Sequence, residues 1–419
     1  MSWRPSGVRL DGRDRRDAFL LFLLALALYR LACPGPSGYE QYALLARAMV
    51  HGSLSLPERP PALEMAEWQG RAYFTNPPTP ALILAPFVWI AEREPLRTWL
   101  VKWNGGFELP LAWMQTGLSL LMGALNVALA RLALGRVPLS RRGANWGAIL
   151  FGFGSIHWYT ASIGSVWYIA EVIHCTAMWL VVLEWLGRAR PFLMGFWMAA
   201  AFWCRMETVV AVPFVLVARP DCWLTFAPER RLPRLRLGWL VAYALPIAGV
   251  LALNAGYNWV RFGVFGNQAY ELLLPGAAGF GDSLFHSDAW HAHVFMLFRQ
   301  PPIIQSTYPW LIPAISGLSI GYTTPAFVYC LRAPLDRLTA GCWVGVLLFC
   351  AVLFQFGGTG MSQLGYRFAL DFYPLLTVLA MRGMDPPMRW WKSALIMIGI
   401  AANAWYIWVL THLEIGRLF

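Results

Sequence analysis

The chain has 419 residues, of which 58% are hydrophobic and only 13% charged. A soluble globular domain carries about a quarter charged residues, so an ordinary soluble enzyme is excluded and an all-α polytopic membrane protein is expected. The formal net charge of +11 sits in short basic clusters between apolar segments, which is a topology signal and gives no reason to expect a nucleic-acid partner.

Apolar windows fall at 18–33, 110–133, 144–159, 164–186, 192–205, 207–218, 238–260, 310–331, 338–356, 366–382 and 393–411. They predict about eleven transmembrane helices, several of them short for a bilayer of ordinary thickness. With the N-terminus in the cytoplasm, the inner loops are 4–16, 131–142, 188–190, 219–236, 332–337 and 382–392. They hold 21 of the 33 Lys and Arg residues, as the positive-inside rule requires. The first window reads as a signal anchor that stays in place, because Arg30 and Leu31 do not fit a cleavage site before Cys33.

Two large outer loops result, 34–109 and 261–309, within a single membrane domain. The first begins Ser37-Gly38-Tyr39-Glu40-Gln41-Tyr42, and an amphipathic helix is expected to follow. Next come a Gly70-Arg71 turn and an extended run through Tyr73, Phe74 and Pro77-Pro78. Residues 81–94 are expected to form an interfacial or re-entrant helix. Windows 192–205 and 207–218 are read as two short helices meeting at Arg205-Met206-Glu207 near the outer surface. One long helix would put both charges in mid-bilayer, where they are costly.

In this topology the ionisable residues collect on the outer side. Glu40 follows the first span and His157 ends the third. Glu171 and His174 lie one turn apart on one helix face. Arg205 and Glu207 cap the short hairpin, and Arg367 and Asp371 stand at i and i+4, so they are expected to pair or to face one cavity. Such a cavity suits a substrate with its tail in the bilayer and a phosphosugar at the surface. Transfer of that sugar needs a base for an acceptor hydroxyl, and Glu40 is the candidate. It also needs cations for the departing phosphate: Arg367 and Arg205 are the candidates, with Lys102 and Arg71 as loop alternatives. Asp371, Glu171, His174, Glu207 and Tyr42 would support them.

In the second outer loop, His286, Asp288, His291 and His293 are the one metal-like spacing. Their flanks Trp290 and Phe295 read better as an amphipathic helix that gates a lipid cavity. The seven cysteines show no disulfide or zinc spacing. No P-loop or Rossmann fingerprint occurs, so a cytoplasmic nucleotide-sugar donor is not expected.

Taken in order, Gly38-Tyr39-Glu40-Gln41-Tyr42, Tyr73-Phe74-Thr75-Asn76-Pro77-Pro78, the paired spans around His157 and Glu171, Asn258-Trp259-Val260-Arg261-Phe262-Gly263 and Gly365–Pro374 resemble the GT-C superfamily. These are polyprenyl-phosphate-sugar-dependent glycosyltransferases related to protein O-mannosyltransferases. The resemblance runs over most of the chain and implies an integral inner-membrane fold. It also implies inverting transfer of a hexose such as mannose, or of a pentose, from a polyprenyl-phosphate donor to an extracytoplasmic lipid, glycan or protein acceptor. The loop carboxylate would be the base. Many members carry Asp where this chain has Tyr39, which leaves Glu40 in that role, with Glu64, Glu67 and Glu171 as alternatives. Without two adjacent carboxylates a divalent metal is not favoured, and no cofactor is expected. The other classes are a lipid or small-molecule transporter, which would show midplane charges and paired broken helices, and a non-catalytic protein that binds lipid-linked glycan.

Overall fold

A computed structural model describes residues 10–56, 64–103, 111–225, 233–273 and 283–412. Arg4, Arg9 and the 226–232 part of the fourth basic cluster lie outside the described residues. The described residues are mostly helical, with three short two-stranded sheets.

Helix α1 (Gly12–Ala32) starts from a capping box in which Asp11 and Asp14 each accept the other's backbone N–H. After it come α2 (Gln41–Val50), a hairpin of β1 (Met65–Trp68) and β2 (Arg71–Phe74), α3 (Thr79–Ala91) and α4 (Leu96–Trp103). The hairpin pairs Met65 with Phe74, and its Gln69-Gly70 turn has positive φ at both residues. The helical body then runs α5 (Leu111–Leu134), α6 (Arg141–Gly152), α7 (His157–Ile163), α8 (Val166–Trp185) and α9 (Pro191–Phe202). A 3-10 turn (Met206–Ala211), α10 (Pro213–Ala218) and α11 (Pro220–Trp223) lead through strands β3 (Leu224–Thr225) and β4 (Arg234–Leu235) to α12 (Leu237–Phe262). The second loop carries α13 (Gln268–Leu273), α14 (Trp290–Phe298), and strands β5 (Ile303–Ile304) and β6 (Leu311–Ile312). The chain closes with α15 (Ile320–Thr323), a 3-10 helix (Pro325–Arg332), α16 (Arg337–Leu353), a 3-10 turn (Arg367–Asp371), α17 (Tyr373–Met384) and α18 (Trp390–His412).

Side-chain bonds fix how the central helices lie. Gln115 donates to the Gly164 carbonyl at 3.0 Å and Asn126 to the Val172 carbonyl at 2.8 Å, so α5 and α8 run parallel. The α6–α7 segment returns between them. Gly123 lets it approach closely, since a Cβ there would stand 2.5 Å from that of Ala161. At one end, ion pairs tie the starts of α1, α6, α9 and α16 to the ends of α5, α8 and α17. Arg131, fully buried, meets Asp14 at 2.8 Å; Arg141 meets Asp17 at 2.6 Å, Arg190 meets Glu184 at 2.8 Å, and Arg382 meets Asp336 at 2.6 Å. The opposite end gathers residues 37–40, 164–168, 205–208 and 362–371.

Among the described residues four helices, α5, α8, α12 and α18, are long and apolar enough to cross a membrane. Only 11% of the most apolar stretch of α12 and 33% of that of α18 is buried. Leu237, Val241, Leu245 and Leu253 of α12 all point outward. A face this apolar is unfavourable in water and suited to lipid.

The structure departs from the expected windows in four places. Residues 310–331 do not form one helix: Pro313, Gly317 and Pro325 interrupt the segment, and it divides into β6, α15 and a 3-10 helix. Gly317 has φ +87° and packs against Gly365, which no larger residue would allow. The 144–159 window breaks between Gly152 and His157, where the Ser155 hydroxyl bonds back to the Phe151 carbonyl at 2.6 Å. The 207–218 and 366–382 windows both open as 3-10 turns before an α-helix that begins near a proline. The helix expected at 81–94 is α3.

Candidate functional site

Six of the ionisable residues singled out from the sequence converge. Glu171 and His174 come from the second and third turns of α8, Arg205 and Glu207 from the junction after α9, and Arg367 and Asp371 from the 3-10 turn before α17. Glu171 Oε1 lies 3.5 Å from Arg367 Nη1 and 4.0 Å from Arg205 Nη1, so one carboxylate oxygen stands between two guanidiniums. Arg205 Nη2 also meets Glu207 Oε1 at 2.6 Å and Asp371 Oδ2 at 3.2 Å. The Phe368 ring lies under both cations, 5.1 Å from Arg205 Cζ and 4.8 Å from Arg367 Cζ.

Burial orders the cluster by depth. The side chains of Glu171, His174 and Asp371 are 0% exposed, whereas those of Arg205 and Arg367 keep 17% and 11%. The Glu207 side chain is 17% exposed as well, so the open face presents two guanidiniums and one carboxylate, and the carboxylates of Glu171 and Asp371 stand behind it as counter-charges. Arg205 Nε, Arg367 Nε and Glu171 Oε2 have no hydrogen-bond partner, which leaves bonding capacity that is costly to bury unused.

The expected Arg367–Asp371 pair does not form. Residues 367–371 are a 3-10 turn with three residues per turn, so i and i+4 do not share a face. Arg367 turns to Glu171 and to the Trp167 carbonyl at 3.0 Å, and Asp371 turns to Arg205. Glu171 and His174 share no bond either; His174 Nε2 meets the Thr208 hydroxyl at 2.8 Å and Nδ1 lies 3.5 Å from Asp371. His157 belongs elsewhere, in a buried network with the Tyr29 hydroxyl and the Asn126 amide, each at 3.1 Å.

The described part of the 34–109 segment packs at this end. Glu40 is the N-cap of α2, half-buried, with no side-chain capping bond. Its neighbour Tyr39 packs on Trp167 at 4.7 Å, and Trp167 is the residue whose carbonyl holds Arg367. Glu64, at the base of the hairpin, accepts from Trp167 Nε1 at 3.3 Å and from the Thr75 hydroxyl at 3.2 Å. From the second loop, the Tyr270 hydroxyl donates to Asn76 at 2.7 Å. Burial raises that hydroxyl well above its ordinary pKa, so it remains a donor. Tyr42 is fully buried edge-on to Phe74 at 4.8 Å. Arg71 and Lys102 are exposed, on β2 and on α4, a helix that buries none of its residues.

The second loop reaches the cluster through His293. Its Nε2 lies 2.7 Å from the Phe356 carbonyl, which can only accept, so Nε2 carries the proton and Nδ1 accepts from the Tyr366 hydroxyl at 2.7 Å. His293 thus leaves the His286–His291 spacing for a structural bond beside Arg367. Among the described residues, no group of three or more His, Cys, Asp or Glu side chains is set to hold a metal ion.

Phe368, Thr208, Trp167 and Tyr270 were not among the residues singled out from sequence. Phe368 was the most accessible of them, since it stands between the two charged residues of its own motif. No family model, curated protein or solved structure matches the chain.

Proposed function

We propose that the protein is an integral membrane glycosyltransferase of GT-C type that moves a sugar from a polyprenyl phosphate to an acceptor outside the cytoplasmic membrane. The observation that carries this reading is the convergence of Arg205 and Arg367 on Glu171, beside the Tyr39–Trp167 contact of the first loop. Two partly exposed guanidiniums, backed by buried carboxylates and flanked by Phe368, offer paired donors to a phosphate monoester.

In this reading eleven passes cross the bilayer, four as long apolar helices and the rest as short or broken segments packed among them. The Arg-rich end of the bundle faces the cytoplasm and the cluster faces outward, in keeping with the basic inner loops. Glu40 is the general base. It is half-exposed at the rim, next to the Tyr39–Trp167 wall, and among the described residues no cation pairs with it, whereas Glu171 and Asp371 are bound to arginines. The acceptor hydroxyl gives its proton to Glu40 as its oxygen attacks the anomeric carbon, and the phosphate leaves on the opposite face toward Arg367 and Arg205.

One observation favours a second reading. Three carboxyl groups, Glu171, Glu207 and Asp371, face two arginines, and an excess of buried acid is also what a cation-coupled lipid transporter would use. Two assays on the same preparation separate the two. Purified protein in nanodiscs is incubated with a panel of polyprenyl-phosphate sugars and acceptors, and polyprenyl phosphate release is measured. Release with sugar transfer supports the glycosyltransferase; lipid flux in liposomes with no release from any donor supports the transporter.

A further inference from the structure

Away from the cluster, β5 and β6 form a hairpin in which Ile303 pairs with Ile312 and Ile304 with Leu311. The Gln305 N–H closes it onto the Trp310 carbonyl at 2.8 Å. Its outward side chains are apolar: Ile304 is 80% exposed, and Ile303, Tyr308, Trp310 and Leu311 are exposed too. From Gln300 to Leu331 the sequence holds no Asp, Glu, Lys, Arg or His. Exposed Ile and Trp on an uncharged loop are unfavourable in water.

The hairpin lies against the end of α18. Trp405 Nε1 donates to the Leu311 carbonyl at 3.0 Å, and the Tyr308 ring meets Trp405 at 6.1 Å and Trp408 at 5.9 Å. Only 33% of the most apolar stretch of α18 is buried, so this helix already presents a face suited to lipid. Exposed Tyr308 and Trp310 of the hairpin and Trp408 of α18 make one aromatic patch, which continues that face onto the loop.

Tyr and Trp rings concentrate where acyl chains meet headgroups. The backbone limits the depth further. A two-stranded hairpin has open edges, and their N–H and C=O groups are costly in hydrocarbon, so the interface is as deep as it can go. Prolines at 301, 302, 309 and 313 lower that cost, because each lacks an N–H. We propose that the β5–β6 hairpin is seated in the interfacial layer of the bilayer, with Ile304 against acyl chains and the Tyr308, Trp310 and Trp408 rings at the headgroup boundary. The hairpin thereby anchors the segment that leads to Leu318, whose N–H bonds the Leu364 carbonyl at 2.9 Å, three residues before Arg367. The inference rests on the chain lying in a membrane and is independent of the transfer reaction.

The unsubstituted full chain is reconstituted in liposomes containing a phospholipid with a photoactivatable carbene group near its glycerol backbone, and adducts are mapped by peptide mass spectrometry. Adducts are expected on residues 303–311 and on α12, whose labelling reports separately that the chain lies in the bilayer. A labelled α12 with an unlabelled hairpin overturns the proposal. The second measurement places a nitroxide on Ile304→Cys, beside one on Asp288→Cys, an exposed charged position of the same loop. The seven native cysteines are buried or partly buried, and the unsubstituted chain treated in parallel gives their background. The Ile304 label is expected to favour relaxation by oxygen over relaxation by a water-soluble nickel chelate several-fold more than the Asp288 label does. An equal ratio at the two positions overturns the proposal. So does an Ile304 label shielded from both agents, as a second copy or a partner protein would shield it.

Discussion

Arg205 donates to Asp371 at 3.2 Å across a gap of 166 residues in the chain. The bond ties the junction after α9 to the turn before α17, and Arg205 touches Glu171, Glu207 and Asp371 together. Replacing it with Ala would leave fully buried carboxylates short of a partner. Breaking a buried pair costs about 3–5 kcal/mol, so Arg205→Ala is expected to lower the unfolding midpoint sharply in detergent. Arg205→Ala/Asp371→Asn should recover part of the loss, and a double-mutant cycle of thermal unfolding measures the coupling.

Glu40→Gln keeps the size of the side chain and removes the base. Donor binding should persist while sugar transfer falls by roughly a hundredfold or more. Transfer and binding are measured on the same preparation, beside Glu64→Gln. A loss confined to Glu64→Gln would move the base to the hairpin.

Much of this cluster could be read from the chain before its geometry was known. Glu171, His174, Arg205, Glu207, Arg367 and Asp371 stood out because ionisable residues in apolar surroundings are rare and costly. Who pairs with whom could not be read. The i, i+4 spacing of Arg367 and Asp371 presumes an α-helix, and the segment is a 3-10 turn, so each residue finds its partner in a distant element. The same limit governs the fold. The long apolar helices α5, α8, α12 and α18 follow from hydropathy, but 310–331 has the right composition and the wrong backbone, because its prolines and Gly317 favour turns over a continuous helix.

His293 carries a pH dependence. Burial lowers its pKa below the ordinary 6.5, and its ring is held neutral between Tyr366 and the Phe356 carbonyl. Below pH 6.5 the unfolded chain takes up a proton that the folded chain refuses, so folding loses stability as pH falls from about 7. Above 6.5 the term vanishes. Unfolding midpoints measured from pH 8 to 5 should decline for wild type, and His293→Gln should show a shallower slope.

A second pH term lies at the opposite end. A hydrogen bond from Arg141 is the main cause that lowers the Asp17 carboxyl from 3.8 to about 2. The folded-state value is depressed, so this stabilisation is complete above about pH 4 and is lost as pH falls through about 2. Asp17→Asn should be less stable than wild type at neutral pH, and the difference should narrow between pH 4 and 2. Acid-unfolding curves of the two proteins check it.

The central claim is that Arg367 and Arg205 recognise a lipid-borne phosphate. It is tested most directly by binding polyprenyl phosphate and the corresponding polyprenol to wild type and to Arg367→Gln in detergent, with no acceptor present. The account predicts that wild type prefers the phosphate by about tenfold or more, as charge-assisted bonds from arginine require, and that Arg367→Gln loses most of this preference. Equal binding of phosphate and alcohol by wild type, or an undiminished preference in Arg367→Gln, would contradict it.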